Sequence, residues 1–107
     1  MGAIQVSGGR DSEIGYLLNC IKSSSCTFIR NGKTYSGEKA FNHLKRKLDY
    51  AGDSIQNAGQ FIEHIATKSS MTGDLYKVQC DGRQVLTSEW LKKELLKYRS
   101  KKSVKSE

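Results

Sequence analysis

Residues 26–48 read CTFIRNGKTYSGEKAFNHLKRKL. Asn31-Gly32 stands between β-forming residues, and both central positions of a type I′ turn require positive φ, so the stretch predicts a tight β-hairpin. A two-residue loop pairs Arg30 with Lys33, Ile29 with Thr34 and Phe28 with Tyr35. Side chains alternate along a strand, so Cys26, Phe28, Arg30, Lys33 and Tyr35 fall on one sheet face. Ser36 then begins a helix expected to reach about Tyr50. Its Phe41, Leu44, Leu48 and Ala51 face a core with Ala40 beside them, while Lys45, Arg46 and Asp49 point outward.

Outward from this segment the same rules give the remaining elements. Ser12 can cap a first helix over 12–23, whose Ile14, Leu17, Leu18 and Ile21 make one apolar stripe. Before it, residues 1–11 are short, Gly-containing and aperiodic, and read as a flexible leader. After Gly52-Asp53-Ser54, a third helix is expected over 57–68, with Asn57 and Gln60 at capping-box spacing. Its stripe is Ala58, Phe61, Ile62, Ile65 and Ala66. The loop SSMTGD leads to a strand over 75–80, a second I′-type turn at Asp81-Gly82, and a strand over 84–86. A last helix starts near Thr87 or Ser88, with Trp90, Leu91, Leu95 and Tyr98 inward, and ends in a basic, disordered tail over 100–107. The order α-β-β-α-α-β-β-α, with helices on one side of two hairpins, predicts a single α+β domain over 12–99.

A chain of 107 residues fits one compact domain. No apolar run approaches the roughly 20 residues that cross a bilayer, and no secretory signal is evident. The formal net charge of +7 invites a nucleic-acid reading. Its distribution speaks against one. Residues 92–107 hold seven cations against Glu94 and Glu107, a net of +5, which leaves only +2 for the rest. Cations at a helix C-terminus also suit its dipole, so a solvated tail accounts for them.

Three cysteines occur without a C-x-x-C, and His43 and His64 give no metal-finger spacing, so no metal or cofactor site is expected. Cys26 begins one hairpin and Cys80 ends a strand of the other, so adjacent hairpins would bring them within bridging distance. The alternative leaves all three thiols as small buried fillers. Cys20, beside Ile21 on the first helix, is expected to be a buried thiol. A Cys26–Cys80 disulfide would imply an oxidising compartment.

Two groups of polar residues are candidate sites. Arg30, Asn31, Tyr35, His43 and Lys47 lie around the first hairpin and the helix after it. His43 and Lys47 share a helical face beside the Leu44/Leu48 stripe, and the set could receive an anion or a carboxylate. The simpler alternative makes Asn31 a turn residue, Arg30 a cross-strand partner and His43 a satisfied boundary histidine. The second group is Ser69, Ser70, Thr72 and Gly73, where hydroxyls and backbone N–H groups can form an anion-binding nest. A helix C-terminus precedes it, however, and the hydroxyls there can equally satisfy orphan backbone groups. No nucleophile elbow accompanies the two histidines, so a catalytic triad is unsupported.

FIRNG at 28–32 with Tyr35 and Ala40, then HL-x-x-KL at 43–48, resembles the YfeK-like family of bacterial exported proteins with a domain of unknown function (DUF5329-type). The second block, FIEHIATKSSMTGDLYKV at 61–78, is similar to that family's FI-x-x-A-x-x-SS-x-TG-x-x-Y-x-V pattern, which adds Tyr76 to the candidates. Trp90, Leu91 and Leu95 match a closing W-L-x-x-x-L. The resemblance implies periplasmic residence and supplies no activity, cofactor or catalytic residue. The expectation is a non-catalytic binding module for a protein partner or a small envelope ligand. One alternative is a small hydrolase using His43 with Ser69 or Ser70. Another is a polyanion binder acting through the basic C-terminal helix and tail.

Overall fold

The two Asn-Gly and Asp-Gly corners set the architecture of the computed structural model, which describes residues 8–105 of the chain. Asn31 and Asp81 both take positive φ, 53° and 52°, followed by Gly32 and Gly82 at 78° and 79°. This backbone twist matches that of the flanking strands, so each corner closes a two-residue hairpin. In chain order the elements are α1 (Gly8–Ser23), β1 (Thr27–Arg30), β2 (Lys33–Tyr35), α2 (Gly37–Ala51), α3 (residues 58–65), β3 (Lys77–Cys80), β4 (Arg83–Leu86) and α4 (Thr87–Lys105). A short 3₁₀ turn, Gly52–Ser54, follows α2. The expected α+β order is the observed one.

The strands form one antiparallel sheet in the order β2-β1-β3-β4. Hairpin pairing is Phe28 with Tyr35, Ile29 with Thr34 and Arg30 with Lys33, and the two hairpins join through β1 and β3, where Phe28 faces Val78. Phe28 and Val78 are buried and their neighbours Thr27, Lys77 and Gln79 are exposed. The helices therefore cover one face of the sheet. The stripe Ile14, Leu17, Leu18 and Ile21 of α1 meets Leu44 and Leu48 of α2, Phe61, Ile62 and Ile65 of α3, and Leu91 and Leu95 of α4 in one core. Trp90 meets Phe28 edge to face, with ring centroids 5.7 Å apart. Gly37 starts α2 against the end of α1, where a Cβ would run into the Ile21 carbonyl oxygen and approach that of Ser24 to 3.0 Å.

Several boundaries differ from the sequence expectation. Helix α1 begins at Gly8 rather than Ser12, and α4 continues to Lys105. Residues 1–7 of the expected leader and 106–107 of the tail lie outside the described residues. The third helix is shorter than 57–68. Asn57 caps it, its Oδ1 accepting from the Gln60 N–H at 2.8 Å, but after Gln60 the chain widens into a π-helical turn over Phe61–Ile65. Ala66 N–H bonds back to the Phe61 carbonyl and the Thr67 hydroxyl to that of Ile62. The wider turn puts Phe61, Ile62, Ile65 and Ala66 all into the core. Strand β3 begins at Lys77 rather than Leu75, because the Tyr76 backbone turns to other partners. Its N–H donates to the Thr67 carbonyl, and its carbonyl accepts from the Thr87 N–H.

Cys26 and Cys80 are joined as a disulfide, with their Cα atoms 4.7 Å apart. Cys20 is free and half-buried rather than buried. It sits off the α1 stripe at the seam with α4, its thiol donating to the Glu94 carboxylate at 3.8 Å. The same seam holds a Tyr16–Tyr98 stack and a paired contact from Arg99 to Glu13 at 2.8 and 2.9 Å.

The disulfide closes a 54-residue separation, which chain-entropy arguments value at about 4 kcal/mol. Cys26→Ser/Cys80→Ser is expected to lose about that much in urea unfolding, whereas Cys20→Ser loses less than about 1 kcal/mol. Equal losses in the two variants would show that the cross-link contributes little.

Candidate functional site

Helix α2 owes its place to its cap. The Ser36 hydroxyl accepts from the Lys39 N–H at 3.2 Å, and Gly52, at φ 56°, stops the helix by returning its N–H to the Leu48 carbonyl. Between these ends Leu44 and Leu48 are buried, which turns His43 and Lys47 toward Tyr76 and the end of α3.

Lys47 ties three elements together. Its ammonium donates to the carbonyls of Ile65 at 2.9 Å and Lys68 at 3.1 Å, and to the Tyr76 hydroxyl at 3.0 Å. An ammonium has three protons, so its donors are all used. One satisfies the carbonyl of Ile65, the last residue of α3, where a cation is also favoured by the helix dipole, and another the carbonyl of Lys68 in the segment that follows. Burial pulls the Lys47 pKa below its ordinary value, with the Arg30 charge adding to the effect.

His43 completes the cluster, its Nε2 lying 3.1 Å from the Tyr76 hydroxyl. Lys47 already donates to that oxygen, so the arrangement that satisfies every proton has the phenol donating to Nε2 of a neutral imidazole. A protonated His43 would set a second donor against the same oxygen and leave the phenol proton without an acceptor. Burial lowers the His43 pKa to about 4, with the charges of Arg30, Lys47 and Arg46 contributing in that order. Burial raises the Tyr76 pKa, and Arg30 partly opposes it.

Arg30 reaches across the first hairpin, donating to the Tyr35 hydroxyl at 3.2 Å with its guanidinium 5.1 Å from the ring centre. The second motif block meets the hairpin at its tip. The Thr72 hydroxyl donates to Asn31 Oδ1 at 2.6 Å and accepts from the Asp74 N–H. Ser69 is buried, and its hydroxyl accepts from the N–H groups of Met71 and Thr72 at 3.3 and 3.4 Å. Gly73, at φ 80°, gives its N–H to the Ser69 carbonyl. These polar groups of the loop serve its own turn and its docking onto the hairpin.

Two grooves flank the cluster. The first, of about 520 Å³, runs between α2 and the strands of the first hairpin. Phe28, Ala40 and Leu44 give it an apolar lining, and Arg30, Tyr35, His43 and Tyr76 border it. Lys39, Arg46 and Lys77 add charges that the sequence reading did not place there. Lys39 and Arg46 stand four before and three after His43, so helical spacing alone could have grouped them with it. Thr87, at the start of α4, also lines this groove and carried no sequence signal beyond a helix start. It is 2% exposed, and its hydroxyl has no hydrogen-bond partner among the described residues. The second groove is shallower, about 700 Å³, and gathers His43, Lys47, His64 and Ser70 with Tyr50 at its edge. Among the described residues no three His, Cys, Asp or Glu side chains cluster to hold a metal.

A family model covers residues 9–99 and is described as a family of unknown function, DUF5329. The chain belongs to this family. It is 36% identical over 72 residues to the uncharacterized protein YfeK of Salmonella typhimurium, an alignment covering 66% of this chain and 60% of that protein. The chain thus matches less than two thirds of that relative's length. No solved structure matches it. Both motif blocks, 28–48 and 61–78, lie within the matched residues and converge on the Tyr76 cluster.

The depressed His43 pKa has a direct consequence. The unfolded chain takes up the imidazole proton near its ordinary value of 6.5, while the folded chain resists until about pH 4. Stability from this group is therefore full above pH 6.5 and falls as the pH drops toward 4. Urea midpoints are expected to decline over that window, and His43→Gln to flatten the decline relative to the parent. Parallel profiles would show that His43 protonates freely in the folded state.

Proposed function

We propose that this protein is a non-catalytic binding module of the bacterial envelope, and that the groove between the first hairpin and α2 receives an anionic group of its ligand. The observation that carries this is the imbalance of charge around an apolar lining. Arg30, Lys39, Arg46 and Lys77 border the groove, while its one carboxylate, Asp49, is held by Lys45 at 3.0 Å. Among the described residues none of those four cations has a carboxylate partner. Cations around a concave, low-dielectric wall concentrate an anionic ligand, and about 520 Å³ lies in the usual range of roughly 300–1,000 Å³ for small-molecule sites. Envelope residence is supported by the disulfide, which persists in oxidising compartments, and is what the family resemblance implies. No described helix is long and apolar enough to cross a membrane.

A hydrolase has one observation in its favour, since His43 and Ser70 border the same shallow groove. Nucleophile and base must stand within hydrogen-bond reach, and no such bond joins them among the described residues. His43 Nε2 instead faces Tyr76. Polyanion binding through the last helix is weakened where its charges are already paired, as Arg99 is with Glu13 and Lys97 with Glu94.

Dodecanoate and dodecylammonium, below their micellar concentrations, test the site by amide-shift titration. Dodecanoate is expected to give saturable shifts confined to residues 28–30, 35, 39–46, 76–77 and 87, and dodecylammonium none. Arg30→Ala/Arg46→Ala is expected to weaken dodecanoate about tenfold, the scale of one charge-assisted contact. Equal binding of the two amphiphiles, or shifts elsewhere, would overturn the assignment.

A further inference from the structure

The Thr87 hydroxyl is the one buried side-chain polar atom without a partner among the described residues, and Thr87 lines the cationic groove. A buried hydroxyl left unpaired is costly, and such groups in folded proteins are uncommon enough to require a reason. Its neighbours explain why the protein itself does not satisfy it. The Thr87 N–H is committed to the Tyr76 carbonyl, which fixes the residue at the junction of β4 and α4. The nearby phenol of Tyr76 is committed to Lys47 and His43. The Arg30 guanidinium gives one of its donors to Tyr35 and, having no acceptor, cannot take the Thr87 proton.

We infer that the ligand is an amphipathic organic anion bearing a second, uncharged hydrogen-bond acceptor, such as an N-acyl amino acid, and that Thr87 donates to that acceptor. The inference rests on the groove being the ligand site. Its chemistry follows from where charge can be tolerated. Arg46, Lys39 and Lys77 are exposed, so a carboxylate beside them keeps part of its hydration. Thr87 is buried, as are Phe28 and Leu44 of the same lining, and an ionised group taken to that depth would lose its hydration. A neutral amide or ester carbonyl is the group that can enter there and accept one hydrogen bond. The apolar body of the ligand then covers Phe28, Ala40 and Leu44. The exposed and the buried polar groups of the groove thus ask for different partners on one molecule: a charge at the rim and a carbonyl within.

The test compares N-octanoylglycine and N-octanoyl-β-alanine, whose carbonyls differ by one atom in their distance from the carboxylate, with dodecanoate, which lacks the inner carbonyl. Calorimetric titration of the parent, Thr87→Val and Thr87→Ser supplies the affinities. At least one acyl amino acid is expected to weaken about tenfold in Thr87→Val and to recover in Thr87→Ser, while dodecanoate changes less than about twofold. On the parent protein, the labelled Thr87 methyl resonance should move further with that acyl amino acid than with dodecanoate, a measurement that needs no variant to fold. If Thr87→Val leaves both acyl amino acids unchanged, or weakens dodecanoate equally, the inference fails while the groove assignment stands. If dodecanoate and the acyl amino acids all fail to bind the parent, both fall together.

Discussion

The pairing of β1 with β3 is the constraint on which the rest of the molecule depends, and the Cys26–Cys80 disulfide holds the two hairpins together beside it. Each hairpin-and-helix unit alone presents an apolar face too small to bury itself. Setting Phe28 against Val78 makes one continuous inner face, which α1, α2 and α4 then cover. The same pairing carries Tyr76, just ahead of β3, to His43 and Lys47 of α2. It also brings the 69–73 loop to the hairpin tip, where Thr72 meets Asn31. Moving β3 by one residue would turn Tyr76 to the other face and dismantle both.

Around that frame, polar groups do structural and functional work in different places. Lys47 is a strut. Its three protons go to the end of α3, to the Lys68 carbonyl after it and to the phenol of Tyr76, so its charge shapes the electrostatics without an open donor for a ligand. His43 is kept neutral by burial and by three neighbouring cations, which suits a wall residue better than a counter-ion. The exposed cations of the rim have no carboxylate partner among the described residues, and the buried hydroxyl of Thr87 has no hydrogen-bond partner among them. A π-helical turn lies directly ahead of the loop that feeds this cluster, a type of distortion frequent near functional sites.

Local rules explain how much was legible beforehand. Asn31-Gly32 and Asp81-Gly82 need positive φ wherever they occur, so both hairpins and the register Phe28–Tyr35 could be read directly. The stripe of α1 was equally plain, because 3.6-residue spacing is a property of the helix itself. The π-helical turn and the late start of β3 were not, since both arise from competition for backbone partners distant in sequence. Arg46 was expected to point outward, and it is exposed. Only the sheet opposite α2 makes that exposed face one wall of a groove. Lys47 was one of a set that could receive an anion; that its donors meet carbonyls 18 and 21 residues away is something no spacing rule anticipates.

By itself, then, the sequence determined the turns, the helical stripes, the order of elements and the family. These rest on torsional preference and periodicity, which act within a few residues. The half-exposed Cys20, the occupied donors of Lys47, the neutral state of His43 and the unpaired Thr87 hydroxyl were decided only in the tertiary structure. Desolvation, charge proximity and hydrogen-bond satisfaction depend on which surfaces meet in space, and those meetings join residues tens of positions apart.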